Sequence, residues 1–185
     1  MSLLGIPQEL LNTITKDLDY ASITLLRWTC KSLYHKVDVA NNTGARERPR
    51  DGKIYNMYDL IQLELWPCYD PNWHGGHGPK HSVDSFACSS CLKIRPARHF
   101  SNAMVRGRRG KESQNPAKLR RFCIACGVKT RQYRPGMKLR YGRSNGCEGG
   151  CALVCPKCHW FKTVSSEAEM LTKSCGDCSA GDDLQ

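Results

Sequence analysis

The sequence predicts two unlike parts: a mostly α-helical N-terminal segment, and a small, irregular α/β module too poor in apolar residues to hold its shape without cross-links. Three observations carry this. Through residues 3–37 apolar side chains recur every three or four positions, the period of a helix. Four Cys-x-x-Cys pairs all fall after residue 87. Between these regions, residues 40–53 hold almost nothing apolar, and their Gly, Pro and charged residues mark a linker. The chain accordingly divides into residues 1–40, a connecting region 41–82, and a Cys-rich region 83–185.

In the first helix Pro7 suits the opening position and Glu9 the opening turn, and Leu10, Ile14 and Leu18 then recur every fourth residue with Leu11 beside them. Asp19 can cap a second helical segment, in which Ile23, Leu26, Cys30, Leu33, Tyr34 and Val37 share one face. Leu3, Leu4, Ile6 and Leu25 lie outside both stripes. Segments below about 40 residues seldom fold alone without a metal, a disulfide or a partner, and this one has a single cysteine. Its Leu, Ile and Val side chains each gain about 1.5 to 3 kcal/mol on full burial. Whatever apolar surface the helices leave uncovered therefore favours docking, onto the rest of the chain or onto another polypeptide.

Leu4, Ile6, Pro7, Glu9 and Leu10, followed in register by Ile14, Leu18, Asp19, Leu25, Leu26, Arg27, Cys30 and Lys31, resemble an F-box. Trp28 stands where an aliphatic residue is common in that family. The resemblance implies a hook of three short helices that binds the Skp-type adaptor of a cullin-based SCF ubiquitin ligase, while the remainder of the chain selects the substrate. On that reading Leu4, Ile6, Pro7, Leu10, Leu11, Ile14, Leu18, Ile23 and Leu26 make the adaptor contact.

Beyond the linker, Asn56 is placed as a cap with Asp59 three residues later, and Met57, Leu60, Ile61 and Leu65 fall one or two turns apart, which predicts a short helix over 56–66 ended by Pro67. Residues 68–82 read as a Gly/Pro-rich loop. Its His74, His77 and His81 are better explained as loop residues than as metal ligands, because Gly78 and Pro79 oppose a helix that would align the rings. The loop also lacks the Gly-Lys-Ser/Thr ending of a phosphate cradle.

The pairs Cys88/Cys91, Cys123/Cys126, Cys155/Cys158 and Cys175/Cys178 each let a tight turn aim two thiolates at one ion, and a tetrahedral site then needs a second pair from elsewhere in the chain. Sixteen residues separate Cys158 from Cys175, within the range of a four-cysteine zinc site. The 31 residues between Cys91 and Cys123 close a longer loop, at a cost that grows by only about 0.6 kcal/mol per doubling. Two zinc ions are expected. The pairing stays open: Cys147 and Cys151 can join Cys155 and Cys158, or Cys123/Cys126 can join Cys155/Cys158 across a hairpin formed by residues 128–133, a Pro135-Gly136 turn and residues 137–141. A thiol-redox role needs a βαβ setting that four pairs do not offer. A RING-type cross-brace places its middle ligands only a few residues apart, whereas 28 residues divide Cys126 from Cys155.

Phe86, Ala87, Cys88, Cys91, Arg95, Pro96, Phe100, Ser101, the basic run 106–111, then Arg121, Phe122, Cys123, Ile124, Cys126, Gly127, Tyr133, Pro135 and Gly136 resemble the Cys-rich tail that often follows the F-box in proteins of filamentous fungi. That tail is known mainly as a pattern and implies no substrate.

Between Lys93 and Arg143 sixteen Lys and Arg face one acid, Glu112. Arg106, Arg108, Arg109, Lys111, Arg120 and Arg121 are candidates for a surface that meets an acidic substrate protein or, as the less favoured partner, nucleic acid, with Tyr133, Tyr141 or Trp160 to stack on bases. The local explanation is that cations offset thiolate clusters. The formal net charge is +11, falling to roughly +7 once two four-thiolate zinc sites are counted.

Other functions find little footing. No His-Glu-x-x-His or zinc-deaminase pattern is present, and a closed four-thiolate site leaves no position for a reacting water, so a non-catalytic subunit is expected. No signal-peptide pattern opens the chain and no run of 18 apolar residues occurs. An intracellular protein of the cytoplasm or nucleus, with no membrane partner, is expected.

Overall fold

In the computed structural model of the chain, the described residues are 5–39, 55–66, 69, 84–142, 149–164, 175 and 178. The linker and the His74, His77 and His81 loop lie outside them. Two compact units divide between Leu63 and Glu64.

The first unit opens with the described helices α1 (Gln8–Lys16), α2 (Tyr20–Trp28) and α3 (Lys31–Lys36). Pro7 caps α1 from an extended backbone, Glu9 sits in its first turn and Lys16 in its last, so both charges oppose the helix dipole favourably. The Asp19 side chain accepts from the Ser22 N–H at 2.7 Å and starts α2. The second predicted segment is interrupted at Thr29 and Cys30. The Thr29 hydroxyl bonds back to the Leu26 carbonyl at 2.8 Å, Cys30 is fully extended, and α3 begins after it. Leu33 and Val37 keep their predicted place, since they join Leu11, Ile23 and Val39 in one buried cluster.

Within the α1 stripe the structure separates core from surface: Leu11 is 1% exposed, whereas Leu10 is 57% and Ile14 45% exposed. Thr15 shares the inner face because its hydroxyl is satisfied by the Leu11 carbonyl at 3.0 Å, so its burial leaves no polar group unpaired. Tyr34 is exposed as well, lying under the Arg27 guanidinium at 4.4 Å.

Helix α4 (Met57–Glu64) has the reciprocal cap that Asn56 and Asp59 predict. The Asn56 side chain accepts from the Tyr58 N–H at 2.8 Å, and the Asp59 carboxylate accepts from the Asn56 N–H at 2.8 Å.

The second unit is assembled from short pieces. Strands β1 (Ser85–Cys88) and β2 (Lys93–Pro96) form an antiparallel hairpin, while β3 (Lys138–Tyr141), β4 (Gly150–Val154) and β5 (Phe161–Val164) form an antiparallel sheet in that order. A short helix α5 (Asn102–Val105), three 3-10 turns and helix α6 (Ile124–Lys129) fill the interval. The predicted hairpin strand at 128–133 is instead the end of α6 and a turn, and β3 pairs with β4. The reason lies at Gly127. Tyr133 folds back over it, donating its N–H to the Gly127 carbonyl at 3.0 Å, and a Cβ there would stand 2.5 Å from the Tyr133 ring. The Pro135-Gly136 turn is present: the Met137 N–H bonds the Arg134 carbonyl and Gly136 takes φ +85°, as a type II turn requires.

One core cluster joins Phe86, Ala97, Phe100, Met104 and Val105 to Cys88 and Cys123, and a second joins Ile124, Tyr133, Leu139 and Val154. Beside the first lies a fully buried ion pair, Glu64 with Arg121. Glu64 also accepts from the Ala87 N–H at 2.6 Å, and Arg121 donates to the Arg109 carbonyl at 3.2 Å while its guanidinium stands 5.2 Å from the Phe86 ring centre. Burial raises the Glu64 pKa, against the pull of Arg121. Removing one partner strands a charge in the interior. Glu64→Ala or Arg121→Ala should therefore lower the unfolding free energy by about 3–5 kcal/mol, and the double change Glu64→Leu with Arg121→Met should recover most of that loss in urea denaturation of the metal-loaded protein. Gly127→Ala should cost about 1–3 kcal/mol by the same measurement, because the Tyr133 ring must move.

Candidate metal centres

The four Cys-x-x-Cys pairs converge two by two. Cys88, Cys91, Cys123 and Cys126 form one group and Cys155, Cys158, Cys175 and Cys178 the other, with the four sulfurs of each within 4.8 Å of one another. Of the pairings that the sequence leaves open, this one sets aside both the ribbon joining Cys123/Cys126 to Cys155/Cys158 and a group of Cys155 and Cys158 with Cys151. Cys151 sits in β4 opposite Arg140 and Val164, in neither group, and Cys147 lies outside the described residues.

Both groups are built on one local plan. The first pair occupies the turn of a hairpin, β1–β2 or β4–β5. The residue after its second cysteine, Leu92 or His159, adopts positive φ (50° and 60°) and returns its N–H to the carbonyl of the first cysteine at 2.9 Å. A side chain in that region is disfavoured, so the turn needs compensation. Part of it comes from hydrogen bonds to sulfur: Ser90, Cys91 and Cys123 direct backbone N–H groups at Cys88, and Lys157, Cys158 and Cys175 do the same at Cys155. The N–H of Cys123 reaches the Cys88 sulfur at 3.2 Å. The second pair differs between the groups. Cys123 caps α6, whose first turn carries Cys126, whereas Cys175 and Cys178 are joined by a 3.0 Å turn bond.

The electrostatics are those of a cation site. The hydrogen bond with Cys123, helped by the backbone N–H groups and opposed by burial, pulls the Cys88 thiol down to about 4. That same bond and burial push Cys123 up, and burial together with the charge of Cys88 pushes Cys126 up to about 11. Four thiols this close ionise together only if a positive ion offsets their mutual repulsion. The Arg95 guanidinium hydrogen-bonds Cys91 and is itself held more firmly protonated by that bond and the neighbouring sulfurs, so one of the basic residues does offset the cluster. The spacing fits a metal as well. Cys158 and Cys175 sulfurs are 3.9 Å apart, close to the edge of about 3.8 Å in a tetrahedron with metal–sulfur bonds of 2.3 Å and far beyond a disulfide. Two four-cysteine groups are thus arranged to hold two metal ions.

Comparison with known proteins adds no relative. No family model, no curated protein and no solved structure matches the chain.

The remaining candidate residues separate by burial. Of the basic set, Arg106, Arg108 and Arg120 are exposed and Arg109 is half-buried. Arg121 and Lys111 are corrections to the expected surface. Arg121 is interior, paired with Glu64, and Lys111 binds Asp84 and the Tyr69 carbonyl at 2.6 Å each while approaching the Phe86 ring at 5.3 Å. A charge run in sequence cannot distinguish cations that face water from cations that meet a buried carboxylate. Among the adaptor-contact candidates, Pro7, Leu10 and Ile14 are exposed and Ile6, Leu18 and Leu26 half-buried. Leu11 and Ile23 are enclosed in the helical unit's own core, and Leu4 lies outside the described residues. Glu64 was not among the sequence candidates. Its signal was its place one helical turn beyond Leu60 and Ile61, on the apolar stripe of α4. No described helix is long and apolar enough to cross a membrane.

Elemental analysis of the purified chain should find two metal ions, falling to one in Cys88→Ser and in Cys155→Ser. Removing metal with excess EDTA at neutral pH should abolish the near-UV circular dichroism of the Cys-rich unit; an unchanged spectrum would show that the sulfur groups do not hold the fold.

Proposed function

We propose that the chain is a substrate-recruiting F-box subunit of an SCF-type ubiquitin ligase. The helical unit docks a Skp-type adaptor, and through it the cullin ligase. The Cys-rich unit, loaded with two zinc ions, selects a protein substrate. The observation that carries this reading is the division of α1, which commits Leu11 and Thr15 to its own core and leaves Leu10 and Ile14 in water. Exposed Leu and Ile one turn apart on a helix make an apolar stripe of the kind a partner groove accepts, and the residues quoted for the F-box resemblance include both. Pro7, Leu10 and Ile14, flanked by Ile6, Leu18 and Leu26, form the adaptor face on this reading; Leu11 and Ile23 hold the hook together behind it.

Zinc suits both sulfur groups because four thiolates are a soft, tetrahedral donor set, and structural zinc contributes about 10–16 kcal/mol to folding in small peptides. A site whose four positions are all protein sulfur is closed to substrate, so zinc acts here by shaping the unit rather than by chemistry. The exposed cations Arg106, Arg108 and Arg120 then face an acidic substrate protein. Such a subunit works in the cytoplasm or nucleus.

Ile14→Asp tests the adaptor face. The residue is already half in water, so far-UV circular dichroism should be unchanged, while affinity for a Skp-type adaptor should fall by about 2–4 kcal/mol as a charge enters the interface centre. Co-purification of Ile14→Asp with the adaptor at parental yield would overturn the reading.

A further inference from the structure

Several cations of the Cys-rich unit have a structural duty: Arg95 serves the first sulfur group, Arg121 meets Glu64 and Lys111 meets Asp84. Lys129, Arg131, Arg134 and Lys138 have none. All four are exposed, and among the described residues none of their side chains makes a hydrogen bond or an ion pair. No Asp or Glu occurs from Ser113 to Cys147 to offset them.

These cations stand on two closed corners between α6 and β3. In the first, the Arg131 N–H bonds the Val128 carbonyl at 3.1 Å and the Tyr133 N–H the Gly127 carbonyl at 3.0 Å; in the second, the Met137 N–H bonds the Arg134 carbonyl at 3.1 Å. Tyr133, between them, is the common root, buried and with its hydroxyl in a 2.6 Å hydrogen bond with Ser101. The Gly136 N–H ties the second corner to the Val154 carbonyl at 2.7 Å. Both corners therefore project from one anchored point, on a backbone that is ordered before any partner arrives.

Arg131 carries the argument furthest. It follows Thr130, the C-cap of α6, and takes φ 57°, a position that Gly fills most easily because a Cβ is disfavoured there. Leu92 and His159 accept the same backbone in turns that aim cysteines at a metal. Nothing comparable explains Arg131, and a strained backbone that holds out an unpaired charge points to use of that charge outside the chain.

The partner must be anionic. Protein interfaces place aromatic anchors at their centre and are depleted in Lys, whereas on this segment Tyr133 is turned inward and Met137, 38% exposed, is the one large apolar side chain outside. Single strands are held chiefly by stacking their bases on rings, and the segment offers no exposed ring. A duplex requires neither, because its phosphates are dense in charge and are met by Lys and Arg without reading a base.

We propose that segment 129–138 binds the phosphate backbone of duplex nucleic acid, without sequence preference, through Lys129, Arg131, Arg134 and Lys138. The surface does not depend on the adaptor reading, so Ile14→Asp should bind duplex as the parent does.

The test is fluorescence anisotropy of the full, metal-loaded chain with labelled DNA and RNA duplexes over a series of salt concentrations, metal content and melting midpoint serving as the checks on folding. The parent should bind at least one of them, and log affinity against log salt should fall with a slope of about −3 to −4, since each neutralised phosphate contributes about −0.9 on DNA. Arg131→Gln with Arg134→Gln should make that slope shallower by about 1.8. Arg131→Gly separates charge from backbone: its melting midpoint should equal or exceed the parent's, because Gly accepts the left-handed conformation, while its binding weakens as in Arg131→Gln. An unlabelled duplex of unrelated sequence should compete as well as the labelled one. The proposal is overturned by failure of the parent to bind either duplex, by a parental slope in Arg131→Gln with Arg134→Gln, by an equal loss of slope in Arg106→Gln with Arg108→Gln, or by Arg131→Gly binding as tightly as the parent. Tighter, Arg131-dependent binding of poly-glutamate, oligo-dT or phosphatidylserine vesicles would equally overturn it, and would identify an acidic protein, an unpaired strand or a membrane surface as the partner.

Discussion

The Cys-rich unit depends on a single constraint, the gathering of eight sulfurs into two groups closer than thiolates tolerate without a cation between them. Its strands have four or five residues each, and one hairpin of that length is marginal alone. Each four-cysteine group therefore does two things, closing the turn of a hairpin with its first pair and bringing in a segment from farther along the chain with its second. Leu92 and His159 accept a left-handed backbone at these turns. The hydrogen bonds to Cys88 and Cys155 repay that strain by satisfying backbone N–H groups inside a sulfur-lined interior.

Once the sulfurs are gathered, the positive charges sort around them. Arg95 neutralises part of the first group, Arg121 enters the interior to meet Glu64, and Lys111 closes onto Asp84 and Tyr69. Phe86 stands near both buried cations, which lets an aromatic face share their charge. The chain's strongly basic middle is thus partly structural. Other cations of that middle region stay at the surface, among them Arg106, Arg108 and Arg120.

The helical unit works in the opposite sense, leaving apolar surface open instead of drawing charge inside. Three helices of nine, nine and six residues enclose Leu11, Ile23, Leu33 and Val37. They cannot cover every aliphatic side chain they carry, and α1 resolves the excess by turning Leu10 and Ile14 outward. Recruitment of a second polypeptide would use the surface that the small core cannot bury.

Local chemistry was legible from the chain alone. Asp19 and the Asn56/Asp59 pair announce helix starts because a short polar side chain satisfies N–H groups within its own turn, Pro135-Gly136 announces a turn because the two residues suit its required dihedrals, and the Cys-x-x-Cys spacing announces a metal because two residues are what a tight turn needs to aim two sulfurs together. Three things were decided only in the folded molecule: which residues of the α1 stripe face inward, that residues 128–133 follow a helix rather than a strand, and that Arg121 and Lys111 are buried. The first and third turn on contacts between residues distant in sequence, Leu11 with Ile23 and Leu33 and Arg121 against Glu64, and the second on Phe122 and Tyr133 closing over Gly127 from five and six residues away. A periodic pattern reports that a residue could be buried; which neighbour arrives to bury it is a property of the whole packed chain.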